Sequence, residues 1–167
     1  MTKRQWLQRL SALGFGPARA GTAPAAAPAT DTAACQPEPL QWPDDEWKRR
    51  LGPDQYAVLR RQATESPHGS ALNREKRAGT YHCAGCNWPL FSSDAKYDSG
   101  SGWPSFHTPL PGALSTRTDY KMILPRTEYH CARCGGHQGH VFDDGPLPSG
   151  KRYCNNGLAL RFEAAQA

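Results

Sequence analysis

With 167 residues and a net charge of +5, the chain has room for one domain of roughly 100–120 residues and an extension. The positive charge is not spread as a basic surface: Lys3, Arg4, Arg9 and Arg19 all precede the first acid, Asp31, and beyond it bases and acids nearly cancel. This counts against a nucleic-acid-binding protein, which needs a concentrated basic footprint, and no apolar run approaches the ~20 residues that span a bilayer as a helix.

Residues 1–34 read as a leader or a disordered N-terminal extension, with a basic start and then the stretch G-T-A-P-A-A-A-P-A-T. Lys3-Arg4 before Trp6-Leu7 is a weak export signal, interrupted by Arg9 and Arg19. The expected location is therefore periplasmic if that signal works and cytoplasmic otherwise. Residues 35–66 read as a helical arm. Within it, 44–65 carries the helical pattern: Pro53 suits a first helical position, and Tyr56, Leu59 and Ala63 form one apolar face, with Arg60-Arg61 expected on the solvated side. Ser66-Pro67-His68-Gly69-Ser70 ends it.

From Gly79 the texture changes to short strands between turns. We expect strands at 80–83, 89–92, 120–124, 127–131, 140–142 and 158–163, with Pro125-Arg126 connecting a hairpin. Leu158, Leu160 and Phe162 alternate onto one face. The fold class is mostly β, with antiparallel sheets in a barrel- or sandwich-like body over residues 67–165 and short helices before it.

Six cysteines divide into two C-x-x-C pairs and two single residues, Cys35 and Cys154, which suits metal plus reactive thiol better than a disulfide framework. Cys83-Ala-Gly-Cys86 and Cys131-Ala-Arg-Cys134 are matched knuckles, with Gly85 and Gly135 expected to turn the backbone. Four thiolates make a closed tetrahedral site, so we expect one structural zinc ion and no catalysis there. Redox-active C-x-x-C pairs, or iron in the same cage, are the alternatives.

Cys154 lies outside the knuckles. In a strand, Arg152 and Asn156 share its face, so a guanidinium can favour the reactive thiolate. The same residue also reads as a buried core thiol. His137 and His140 are possible proton donors or structural residues, and Asp144 either forms a turn or orients a histidine. Trp103, in the loop G-S-G-W-P-S-F, is core or the wall of a pocket for a small apolar group.

Taken together, T-E-S-P, G-T-Y-H-C-A-G-C, K-Y-D-S-G-S-G-W-P-S-F, R-T-E-Y-H-C-A-R-C-G-G-H-Q-G-H-V-F-D-D-G-P and R-Y-C-N-N-G-L-A-L-R-F resemble the methionine-R-sulfoxide reductases, the MsrB family, from about Thr64 to Phe162. The resemblance implies that oxidised methionine is the substrate and that Cys154 is the nucleophile, oxidised to a sulfenic acid and regenerated by thioredoxin or another thiol reductant. It implies that Trp103 packs the substrate methyl, that His137, His140 and Asn156 bind the oxygen or water, that Arg152 supports the thiolate, and that Asp144 holds that network. Two departures stand out. Ser101 occupies the place where many members carry a resolving cysteine, leaving Cys35 as the one candidate for that role, and Asn155 replaces a residue that is usually apolar. We expect a monomer with no nucleic-acid partner and no membrane span. The rival reading is a zinc-knuckle module that binds nucleic acid or protein; it explains the knuckles but not R-Y-C-N-N or G-W-P-S-F.

Overall fold

A computed structural model describes residues 37–121 and 123–166. The leader, the export signal and Cys35 lie outside the described residues.

Among the described residues two short α-helices come first, α1 (Asp44–Arg50) and α2 (Pro53–Arg61). In α1, acids fill the first turn and bases the last, which complements the helix dipole. The single helical stretch expected over 44–65 is broken at Leu51-Gly52. Pro53 then starts α2, where its missing N–H costs no hydrogen bond, and Gln62 caps it in the left-handed conformation. Trp47, Leu51, Val58 and Leu59 are buried in the same core as the sheets.

Nine strands follow: β1 (Gly79–Cys83), β2 (Pro89–Ser92), β3 (Lys96–Tyr97), β4 (Ser105–Phe106), β5 (Leu114–Asp119), β6 (Arg126–Cys131), β7 (His137–Phe142), β8 (Arg152–Asn155) and β9 (Leu160–Ala164). They form a three-stranded sheet in the order β2-β1-β9 and a six-stranded sheet in the order β3-β4-β8-β7-β6-β5. Every pairing is antiparallel, as expected of a mostly β fold.

Aromatic side chains from both sheets fill the core. Phe91 of β2 stacks on Phe106 of β4 at 4.1 Å between centroids, Tyr81 of β1 meets Phe106 at 4.9 Å, and Tyr129 of β6 meets Tyr153 of β8 at 5.4 Å. Side chains alternate along a strand, so the neighbours of these residues point to the other face of the six-stranded sheet. That face carries the polar residues described below.

One expected strand is displaced. Tyr120, Lys121, Ile123 and Leu124 form no strand and lie in the connection between β5 and β6. Tyr120, Ile123 and Leu124 are 76%, 101% and 76% exposed, and Arg126 already pairs with Asp119. The true strand, Leu-Ser-Thr-Arg-Thr-Asp, lies at the sheet edge with both faces largely in water. It therefore carries no apolar alternation to reveal it.

Candidate active site and metal centre

The two knuckles meet. Cys83 ends β1 in one sheet and Cys131 ends β6 in the other, and the four sulfurs of Cys83, Cys86, Cys131 and Cys134 lie within 4.8 Å of one another. Cys83 and Cys134 are 3.7 Å apart, and Cys86 and Cys131 are 3.6 Å apart. A disulfide needs ~2.05 Å. A tetrahedral cage with Zn–S bonds of ~2.3 Å has edges of ~3.8 Å. The donor set thus fits one closed tetrahedral metal ion better than redox pairing.

The knuckle turns are built alike, one by the glycine expected and the other by a different residue. Gly135, one residue past Cys134, is left-handed at φ 66°, and its counterpart past Cys86 is Asn87 at φ 59°. Asn is the side chain that best tolerates that region. Gly85 has no such backbone; a Cβ there would only touch Leu59 and Trp47 at 3.5 Å. The helices roof the cluster. Arg60 Nη1 donates to the Cys134 carbonyl at 3.0 Å and its guanidinium lies over the Trp47 ring, so Arg60 faces the cluster rather than solvent. Gln138 Nε2 donates to Cys83 Sγ at 3.4 Å.

The second site grows from strand register. Cys154 of β8 pairs with Ser105 of β4 on one side and with His140 of β7 on the other; His140 pairs with Glu128 of β6, and Glu128 with Arg117 of β5. Directly opposed residues share a face, so these five side chains form one polar rung across the sheet, on the side away from the aromatic core. An H-x-x-H spacing in a regular strand would put the two histidines on opposite faces. A bulge between Tyr129 and His130 shifts the register and sets His137 opposite His130. This re-aims His137 to the face of His140, and their rings lie 5.6 Å apart. Gly139 sits between them against the Cys154 backbone, where a Cβ would come within 1.8 Å of the Cys154 carbonyl oxygen. Only glycine permits this approach of β7 to β8.

Each histidine is held by a carboxylate that the sequence did not single out. Glu128 Oε1 takes His137 Nδ1 at 2.6 Å, and Asp119 Oδ2 takes His140 Nε2 at 2.8 Å. Burial opposes ionisation of Glu128, but its bonds from Arg117 and His137 prevail and hold its carboxyl below the usual range. Asp119 is held well below that range by the Lys121 backbone N–H, by His140 and by Arg126. Asp144, expected to form a turn, to orient a histidine or to hold the network of site residues, grips Arg152 of that network at both oxygens, at 2.8 and 2.9 Å. Its place in the turn after β7 puts it opposite the start of β8, beside Arg152.

Cys154 is half buried. Burial pushes its thiol above the ordinary cysteine value; Ser101 and the Arg152 guanidinium pull the other way without overcoming it. Ser101 Oγ is 4.0 Å from Cys154 Sγ and heads a chain of hydroxyls through Ser99, at 2.8 Å, to Ser105, at 2.8 Å. The residue in the resolving position thus touches the thiol but offers it only a hydroxyl.

Beside Cys154 opens a cleft of about 140 Å³ lined by Thr64, Trp103, Arg126, His140 and Phe142, with Gly139, Asn155 and Asn156. Drug-sized ligands occupy ~300–1,000 Å³, so this cleft suits a single side chain. His137, Arg152 and Asp144 are not among the lining residues. Glu65, of the T-E-S-P segment, ties the walls together: its carbonyl accepts from Trp103 Nε1 at 3.1 Å and its N–H donates to Asn156 Oδ1 at 3.1 Å. Asn156 Nδ2 donates to the Gln138 carbonyl at 3.0 Å, so this amide braces backbone while the residue also lines the cleft. Asn155 is fully buried on the core face, where its Oδ1 accepts from Tyr129 Oη at 2.8 Å and its amide nitrogen donates to the Asn156 carbonyl at 2.8 Å.

Comparison with known proteins agrees with this architecture. Residues 51–164 match the SelR domain. The chain is 50% identical over 121 residues to "Peptide methionine sulfoxide reductase MsrB" of Leptospira interrogans, covering 72% of this chain and 92% of that one. It is 52% identical over 121 residues to the protein of the same name from Bradyrhizobium diazoefficiens, covering 72% and 87%. It is 46% identical over 124 residues to "Peptide methionine sulfoxide reductase B1, chloroplastic" of Arabidopsis thaliana, covering 74% and 61%. With a domain match over most of its length and relatives at this identity, the chain belongs to the SelR-domain family, that of the MsrB proteins.

Proposed function

We propose that this protein is an oxidoreductase that reduces methionine-R-sulfoxide in polypeptides, and the free amino acid as well, with Cys154 as nucleophile. The observation that carries the reading is a half-buried thiol at the edge of a side-chain-sized cleft walled by Trp103 and Phe142, with an ion-paired Arg152 beside it. The names of the relatives support the substrate class.

In this reading Trp103 and Phe142 take the methyl and methylene groups of the substrate, since both rings are apolar and line the cleft. The Cys154 thiolate attacks the sulfoxide sulfur. A proton reaches the sulfoxide oxygen from water on the histidine side, and the oxygen passes to the cysteine, leaving a thioether and a sulfenic acid. One thiol then condenses with the sulfenic acid, forming a disulfide and releasing water, and a second frees Cys154 as the thiol. These two thiols come from thioredoxin or another dithiol. Ser101 cannot supply one, and Cys35 remains the candidate within the chain. Arg152 favours the thiolate, and Asp144 keeps Arg152 in place. Asn156 shapes the cleft by bracing Glu65 and Gln138.

Cys83, Cys86, Cys131 and Cys134 hold one zinc ion, which ties the two sheets together and has no open position for catalysis. The catalytic domain covers 67–165, with 35–66 as the helical arm over the metal cluster and 1–34 as a leader or extension.

The test is turnover of separated R and S dabsyl-methionine sulfoxide with dithiothreitol, for the parent and for Cys154→Ser. We expect R-epimer turnover in the parent and none in the variant, with metal content unchanged. A folded, metal-loaded parent inactive on both epimers would sink the reading.

A further inference from the structure

We infer that Glu128 and Asp119 are positioning residues that fix opposite tautomers on the two histidines beside Cys154. This inference rests on the proposed reading of the site, in which those histidines serve the substrate oxygen.

The geometry is specific. An ionised carboxylate only accepts hydrogen bonds. Glu128 Oε1 lies 2.6 Å from His137 Nδ1, so Nδ1 carries the ring proton and Nε2 has none. His137 Nε2 is buried and has no hydrogen-bond partner among the described residues. Asp119 Oδ2 lies 2.8 Å from His140 Nε2, so on this ring the proton sits on Nε2 and Nδ1 is bare. The two rings therefore offer different nitrogens, 5.6 Å apart between centroids.

Both carboxylates are themselves locked. Glu128, with its side chain 3% exposed, is gripped at both oxygens by Arg117. Asp119, with its side chain 8% exposed, takes Arg126 Nη2 at 2.8 Å and the Lys121 N–H at 2.9 Å. An arginine on each carboxylate keeps it ionised and acceptor-only, and that in turn dictates the ring proton. Burial also keeps His137 below its ordinary pKa, which favours the neutral ring in which a tautomer has meaning. The device is spread over β5, β6 and β7, and it depends on the bulge that turns His137 to this face.

The test uses the full-length, metal-loaded protein with ¹⁵N-labelled histidine. Long-range proton–nitrogen correlation spectra report which ring nitrogen is protonated, with His137 assigned by its loss in His137→Gln. In parallel, the single-turnover rate of Cys154 oxidation is followed with dabsyl-methionine-R-sulfoxide. The parent should show His137 protonated at Nδ1. Glu128→Ala should lose that preference, and its oxidation rate should fall about a hundredfold, the scale of a misplaced reacting group. Glu128→Gln keeps a carbonyl for the Nδ1–H, so it should keep the tautomer and most of the rate.

A parent His137 protonated at Nε2, or a Glu128→Ala variant with parental tautomer or parental rate, would overturn the inference. If Glu128→Ala does not fold, Glu128→Gln decides alone, because loss of the Nδ1 proton there contradicts the proposed contact. An inactive parent would instead refute the functional reading, and the ring spectra would still decide what Glu128 does.

Discussion

The described cysteines occupy two settings, a cluster with the spacing of a metal cage and a lone thiol beside a cleft, and the contrast bears on the different roles proposed for them. At the knuckles, four sulfurs crowd within 4.8 Å under a roof formed by Trp47, Leu59 and Arg60. At the cleft, a single sulfur sits half buried on a polar rung of strand residues, beside an ion-paired arginine. The cluster joins the ends of β1 and β6 from the two sheets, whereas Cys154 lies within β8 of the six-stranded sheet, and the neighbours divide the roles. Thiolates surrounded by thiolates need a cation to be stable; a lone thiol near a guanidinium needs a partner to react with.

The sharpest way to break the contrast is to remove the proposed zinc ion. Structural zinc contributes ~10–16 kcal/mol in small domains, comparable to the ~5–15 kcal/mol that holds a whole domain together. A strong chelator should therefore unfold the protein, with loss of the β signal in circular dichroism, rather than merely slow it. A chelated protein that keeps its fold would mean that the knuckles stand without metal.

Next in size is the roof. Trp47 is 1% exposed and packs at the knuckles, so Trp47→Ala should cost ~3–5 kcal/mol, read as a lower melting temperature at unchanged metal stoichiometry. Unchanged melting would show that the helical arm rides on the cluster without supporting it.

The smallest expected effect belongs to the cleft. Burial raises the Cys154 pKa and Arg152 lowers it, with burial ahead. Being protonated, the thiol should react slowly with iodoacetamide at neutral pH and faster as pH rises, with a midpoint above the ~8.5 of a free cysteine. Arg152→Met removes the opposing charge and should move that midpoint further up, without altering metal content. A midpoint that stays put would remove Arg152 from the account of Cys154.

Much of this was legible in the chain because it is local. The knuckles announce themselves by spacing, Pro53 marks a helix start, and Arg152 and Cys154 sit two apart on one strand. What was not legible depends on distant register. Asp119 is 21 residues from His140 and Glu128 is nine from His137, and a bulge decides that both histidines face the same way. No motif links these residues; only the pairing of β5, β6 and β7 does. The apolar run at 120–124 misled for a related reason: strand propensity says nothing about whether a partner lies alongside, and here the sheet ends one strand earlier in sequence. The sequence leaves Asp144 as a turn residue, a histidine partner or a holder of the site network, and the chain reversal after β7 carries it to Arg152.

The central claim is that the reacting sulfur is Cys154 and none of the cluster. The most direct measurement mixes metal-loaded protein with methionine-R-sulfoxide without reductant, traps sulfenic acid with dimedone, and maps the adduct by peptide mass spectrometry while counting the methionine formed. We predict one methionine per chain and the adduct on Cys154, with the four knuckle cysteines unmodified. Methionine formed with Cys154 unmodified, or an adduct on Cys83, Cys86, Cys131 or Cys134, would contradict the account.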